Sequence, residues 1–153
     1  MPFSNSRPSV SLRGHPIHVL LAPVPAVCFV ATFVTDIVYW RTAAMLWADF
    51  SSWLVVVGVI FAVVTAIAGL IDLLRDRGLR EYRAAWIHGL GNTAVLVLSF
   101  FNALIHTRDA YTSVVPSGLI LSGLVVLLLI VTGWNGWTLV YRHGVGVHAK
   151  EPT

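Results

Sequence analysis

Four apolar stretches, at residues 17–40, 52–74, 83–107 and 117–141, alternate with short segments rich in charge and turn formers. Each can cross a hydrocarbon core about 30 Å thick, which takes roughly 20 helical residues. Lipid offers the backbone no hydrogen bonds, so a spanning segment must satisfy its own N–H and C=O groups. A helix does so and an isolated strand does not. The stretches also run well beyond strand length. Residues 41–51 read as a loop of moderate length, 75–82 (RDRGLREY) as a short charged one, and 108–116 as a loop ending in Pro116. A proline suits a first helical turn, where its missing N–H costs little. Short connections force neighbours to run antiparallel. The predicted fold is therefore an all-α integral membrane protein, an up-down-up-down bundle of four transmembrane helices. A polar tail (1–13) precedes the helical domain (14–143) and a second tail (144–153) follows it. No internal repeat, low-complexity tract or second domain interrupts the pattern.

Composition agrees with lipid as the solvent. Of the 153 residues, 57% are hydrophobic and 11% charged, and mean hydropathy is +0.80; soluble domains carry about 25% charged residues. Ten basic residues against seven acidic ones make a small excess, better explained as a topology signal than as a nucleic-acid surface. One cysteine, Cys28, excludes an intramolecular disulfide and any CxxC site. The polar start, 1–13, predicts no removable signal peptide.

The cations set a direction. Arg7, Arg13, Arg75, Arg77, Arg80, Arg83, Arg142 and Lys150 fall on one side of the predicted bundle, Arg41 and Arg108 on the other. Positive charge in short loops stays in the cytoplasm, so both termini are expected there. Tyr39, Trp40, Trp47 and Trp53 fall at the far interface and Tyr82, Trp86 and Tyr141 at the near one, where amphipathic rings anchor spans.

Chemistry must come from residues that lipid disfavours, because an ionisable side chain inside a span has to face the bundle interior and find a partner. The six histidines, Asp36, Asp72, Asn92, Asn102 and Asn135 meet that description. His15 and His18 open the first span, His88 lies about one turn into the third and His143 follows the fourth. All four stand at the predicted cytoplasmic end, with His148 farther along the same tail. Gly14, Gly89, Gly91, Gly133 and Gly136 lie near them and would let helices, or a flat ligand, approach the backbone; plain helix packing explains any one of them equally well. Asp72 closes the second span on that side. It could orient an imidazole by accepting its second N–H, or pair with Arg75 or Arg77. His106, alone at the opposite end, is expected to be a tolerated interfacial residue, and a second bis-histidine site is rejected for want of a partner histidine.

Three segments carry a family resemblance: Gly14-His15-Pro16-Ile17-His18, the GLIDLLR run from Gly69 to Arg75, and YRHGVGV from Tyr141 to Val147. They resemble a bacterial membrane family catalogued as domain of unknown function 2231, over roughly residues 12–148. The resemblance implies a four-helix membrane domain. Some relatives are fused to Rieske iron–sulfur or cytochrome c domains, which implies redox company for this chain.

The expectation that follows is a small membrane protein holding a b-type haem at its cytoplasmic end and exchanging electrons with a Rieske-type or cytochrome partner. His18 and His88, on diagonally opposed helices just inside the membrane, would be the axial pair, since two inward imidazoles can hold a haem iron in a bundle core. His15 and His143 would support the site, and Arg13, Arg83 or Arg142 would pair with the propionates. A bare Zn, Cu or Fe ion on the same histidines is the first alternative, because imidazole suits all of them. A non-catalytic anchor or assembly subunit of a redox complex is the second; self-association is left open. No G-x-S-x-G, HExxH, phosphate-loop or dinucleotide fingerprint supports an enzyme, and a single bundle lacks the paired halves of many transporters.

Overall fold

The structure is a computed structural model that describes residues 11–12, 15–108 and 110–143, with side chains over 17–108 and 112–138. Two-residue strands β1 (Ser11–Leu12) and β2 (His15–Pro16) pair antiparallel. Then come α1 (Ile17–Leu21), α2 (Pro23–Thr42), α3 (Met45–Arg75), the single turn α4 (Arg77–Glu81), α5 (Arg83–His106), the turn α6 (Ala110–Ser113), a π-helical turn (Val114–Gly118) and α7 (Leu119–His143). Among the described residues four helices are long and apolar enough to cross a membrane: Ile17–Thr42, Met45–Arg75, Arg83–His106 and Val114–Thr138.

The first of these is interrupted between α1 and α2, where Pro23 and Pro25 cannot donate to the preceding turn. Ala22 still donates to the His18 carbonyl at 2.9 Å, so the chain stays close to helical through the break. The π-helical turn has a similar origin. Val115 is extended (φ −114°, ψ 128°), as the residue before a proline prefers. Pro116 then leads into α7, as its position in the sequence suggests.

One expected boundary is wrong. Residues 41–51 are not a loop of moderate length: α2 ends at Thr42, Ala43 turns with φ 53°, and α3 begins at Met45. Asp49, Ser51 and Ser52 lower the hydropathy there, yet Ala48, Ser51, Val55 and Gly58 repeat at three- and four-residue spacing and are all buried. That is the inner stripe of a helix, and its polar members face protein rather than lipid. The 75–82 connection also holds a helical turn, α4, capped by the Asp76 side chain accepting from the Leu79 N–H at 3.2 Å.

α2 packs on α3 and α7, and α5 packs on α3 and α7. His18, at the start of the first span, bonds Asp72 at the end of the second; Thr35, near the end of the first, bonds Ser51 near the start of the second. The bundle is apolar outside and partly polar inside. Val27, Ile60, Leu90 and Leu127 face outward, whereas Thr32, Asp36, Ser51, Ser99, Asn102 and Ser122 are almost wholly buried. Lipid tails solvate leucine as well as a protein interior does, so burial of apolar groups alone does not drive these helices together; close packing and interhelical hydrogen bonds do.

Midway along, Phe29, Val95 and Val125 form an apolar plug with Val59, Leu98 and Leu129 around them. Gly58 makes room for it: a β-carbon there would lie 2.6 Å from Cε1 of Phe29. Tyr39 does not anchor the interface. It is buried against Ala48 and Val114, with Trp47 packed alongside, while Trp40 and Trp53 are exposed as interfacial rings should be.

Candidate functional site

The inner face of α5 carries most of the relevant chemistry. His88, Asn92, Val95, Ser99, Asn102 and His106 follow one another at intervals of four, three, four, three and four residues, a heptad-like spacing that keeps one face toward the neighbouring helices. The apolar plug falls at Val95 and divides this stripe into a near end around His88 and a far end around His106.

At the near end His18 Nδ1 and Asp72 Oδ2 are 2.8 Å apart. The Asp72 side chain is 7% exposed and that of His18 is 29% exposed. Because a carboxylate accepts, Nδ1 is the donor, and Nε2 meets no partner among the described residues. Of the two roles open to Asp72, the one the structure adopts includes orienting this imidazole. A β-carbon added at Gly69 would lie 3.9 Å from Cβ and Cγ of His18, an ordinary contact.

His88 is held differently. Its Nδ1 lies 3.0 Å from the Thr132 carbonyl, which can only accept, so Nδ1 carries a proton. Asn92 Nδ2 donates to the His88 carbonyl at 2.8 Å and meets His88 Nε2 at 3.1 Å. The amide nitrogen is identified by its bond to the carbonyl, so Nε2 is an acceptor and the ring is neutral. Gly136 accommodates the ring, since a β-carbon there would sit 2.8 Å from its Cε1.

The remaining near-end residues divide by how far they are described. His15 lies in β2 and Arg142 and His143 in the last turn of α7; their side chains, with Arg13 and His148, lie outside the described residues. Arg83 opens α5 and is exposed. Asn135 bonds back to the Val131 carbonyl. Among the described residues no three His, Cys, Asp or Glu side chains are grouped to hold a metal ion.

The far end holds what the sequence reading missed. His106 is not interfacial: its side chain is 1% exposed and its Nε2 lies 3.1 Å from Asp36 Oδ1, with Asp36 at 0%. Its Nδ1 lies 2.9 Å from the Asn102 carbonyl. Ser122 donates to the other Asp36 oxygen at 2.7 Å. Ser52 donates to the His106 carbonyl at 3.2 Å, so all four spans meet here. Gly118, the last residue of the π-helical turn, leaves room for the ring, since a β-carbon there would meet His106 Cε1 at 2.8 Å. Asp36 and His106 are 70 residues apart, and no local motif joins them. The available signal was that both are ionisable, both lie inside spans, and each then needs a partner.

These features define an integral membrane protein with four helices in a lipid bilayer and a polar interior divided by an apolar plug. A family model described as "Predicted membrane protein (DUF2231)" matches residues 14–149. The chain belongs to that family. Neither a curated protein nor a solved structure matches the chain.

Proposed function

We propose that the near end of the bundle binds a b-type haem between His18 and His88, and that the protein passes electrons to or from a membrane redox partner. The observation that carries this reading is the His18–Asp72 bond at 2.8 Å. A ligating histidine characteristically donates its other ring N–H to a carboxylate, which fixes the tautomer and raises the basicity of the ligating nitrogen. The donor set suits the group in part. His18 offers Nε2 directly, whereas His88 offers it once the Asn92 amide turns aside. Arg83, exposed at the start of α5, can pair with a propionate; Arg13, Arg142, His15 and His143, whose side chains lie outside the described residues, are assigned to the site from the sequence alone. When bound, the haem supplies one-electron chemistry; the protein orients the imidazoles and limits water.

The eight-to-two distribution of cations supports cytoplasmic termini in a bacterial inner membrane. A reporter active only in the periplasm, fused after Thr153, is then silent; strong activity would reverse the orientation. Rieske-type or cytochrome proteins are the partner class suggested by the domain fusions of relatives.

Absorption spectra of detergent-purified protein from haem-replete cells test the cofactor. Haem gives a Soret band and visible bands that sharpen on dithionite reduction. Stoichiometric Zn, Cu or Fe without a Soret band would place a bare ion on the same histidines instead. A second reading, a structural anchor for a redox complex, draws on His88, whose two ring nitrogens are both engaged by protein atoms. Protein freshly extracted in mild detergent with neither haem nor metal would favour it.

A further inference from the structure

We infer that Asp36 and His106 form a proton-binding site at the far end: together they hold one proton more than an aspartate and a neutral imidazole carry, so that the pair is electrically neutral. The count follows from what each ring nitrogen faces. Nδ1 faces the Asn102 carbonyl at 2.9 Å. A carbonyl has no proton to give, so Nδ1 must carry one. Nε2 faces Asp36 Oδ1 at 3.1 Å, and one of those two atoms must carry another. An aspartate beside a neutral imidazole has a single proton for the two contacts and would leave one of them as two facing lone pairs. With two protons both contacts are made, either as imidazolium and carboxylate or as neutral imidazole and carboxylic acid. The Ser122 hydroxyl supplies the proton at Oδ2.

The surroundings point the same way. The buried polar side chains among the described residues are hydroxyls, the Asn102 amide, two aspartates and His106, with no lysine or arginine among them. Arg41, Asp49 and Arg108 are exposed on this side, and Tyr39 is buried. No other described cation is buried with the Asp36 charge. A lone carboxylate in a dry interior is strongly disfavoured, and taking up one proton removes the net charge. Binding makes a single N–H or O–H bond, changes the charge of the pair from −1 to 0, and involves no electron transfer. His88, by contrast, faces one acceptor and one donor and needs no added proton.

The test uses the full chain in lipid nanodiscs at neutral pH. Nitrogen NMR of histidine-labelled protein reads the protons on each ring, and infrared spectroscopy reads a protonated carboxyl. The expected result is His106 with protons on both nitrogens, or a carboxylic-acid stretch that disappears in Asp36→Asn. In Asp36→Asn the ring becomes neutral, because the new amide can donate to Nε2. Ser122→Ala, a milder change, should shift whichever of the two signals is present while keeping the proton. The inference is overturned if wild-type His106 carries one proton and Asp36 is ionised, or if the His106 signals are the same in wild type and Asp36→Asn and no acid stretch is lost.

Discussion

At the near end a histidine that keeps 29% of its side chain exposed is bonded to Asp72; at the far end His106 and Asp36, exposed by 1% and 0%, are bonded to each other. The same two residue types thus sit in different dielectric surroundings. Near the membrane edge water can relax around His18, and losing its partner leaves a group that can still be solvated. Inside the far end a lone pair or proton left without a protein partner is costly. Asp36 and His106 accordingly draw in Ser122, the Asn102 carbonyl and, through the His106 carbonyl, Ser52. One end is built to leave a ring nitrogen available and the other to leave none.

The largest expected effect comes from removing Asp36. In Asp36→Ala the buried imidazole loses its partner and Ser122 loses its acceptor, and breaking a buried pair in this way costs about 3–5 kcal/mol. Asp72→Ala leaves His18 able to reach water and should cost less, about 0.5–1.5 kcal/mol, the net worth of an ordinary intramolecular hydrogen bond. Unfolding of both variants by denaturant in micelles gives the comparison directly. Equal losses would break it.

The plug between the two ends is tested next. Gly58→Ala places a methyl group against Phe29 and should destabilise by about 1–3 kcal/mol. Gly133→Ala, where nothing lies within 4 Å of the added carbon, should be neutral or slightly stabilising because alanine is the better helix former. A Gly58→Ala protein as stable as wild type would mean that the two ends are not separated by tight packing.

A third effect bears on the proposed site without unfolding it. Asp72→Asn weakens the hold on His18 and should reduce haem or metal retention by about 10–100-fold, as loss of a carboxylate behind a ligand does. Asp36→Asn should leave retention unchanged, because its contacts lie beyond the plug. Titration of protein with haem or metal measures both, and an equal loss in the two variants would argue that the ends act as one site.

The smallest effect falls on the far-end turn. Ala43 holds φ 53° at the end of α2, a conformation that a β-carbon disfavours. Ala43→Gly relieves it at some cost in unfolded-chain entropy, for a net gain of up to about 1 kcal/mol. Thermal unfolding should move slightly upward; a clear loss would show that the turn needs its methyl group.

Much of this architecture was legible in the residues alone. The four apolar stretches, the α7 entry at Pro116, the inward-facing Asp72 at a helix end and the family motifs all depend on local composition or spacing. Hydropathy failed where polar residues face inward. Ser51 and Ser52 read as loop, beside an exposed Asp49, because an average over consecutive residues does not distinguish a polar face turned to protein from one turned to water. Tyr39 and His106 were assigned to the interface for the same reason, since depth along a helix was known and rotation about its axis was not.

Sequence by itself therefore determined that the chain lives in lipid, how many helices cross it, and which ionisable residues would need partners. Those conclusions follow from the cost of placing polar groups in hydrocarbon, which acts residue by residue. Tertiary structure alone decided the pairings: His18 with Asp72 across two consecutive spans, His106 with Asp36 across 70 residues, and Ser122 completing the latter. Hydrogen bonds have fixed lengths and directions. Whether two such groups meet depends on the rotation and register of packed helices, quantities that no single span specifies.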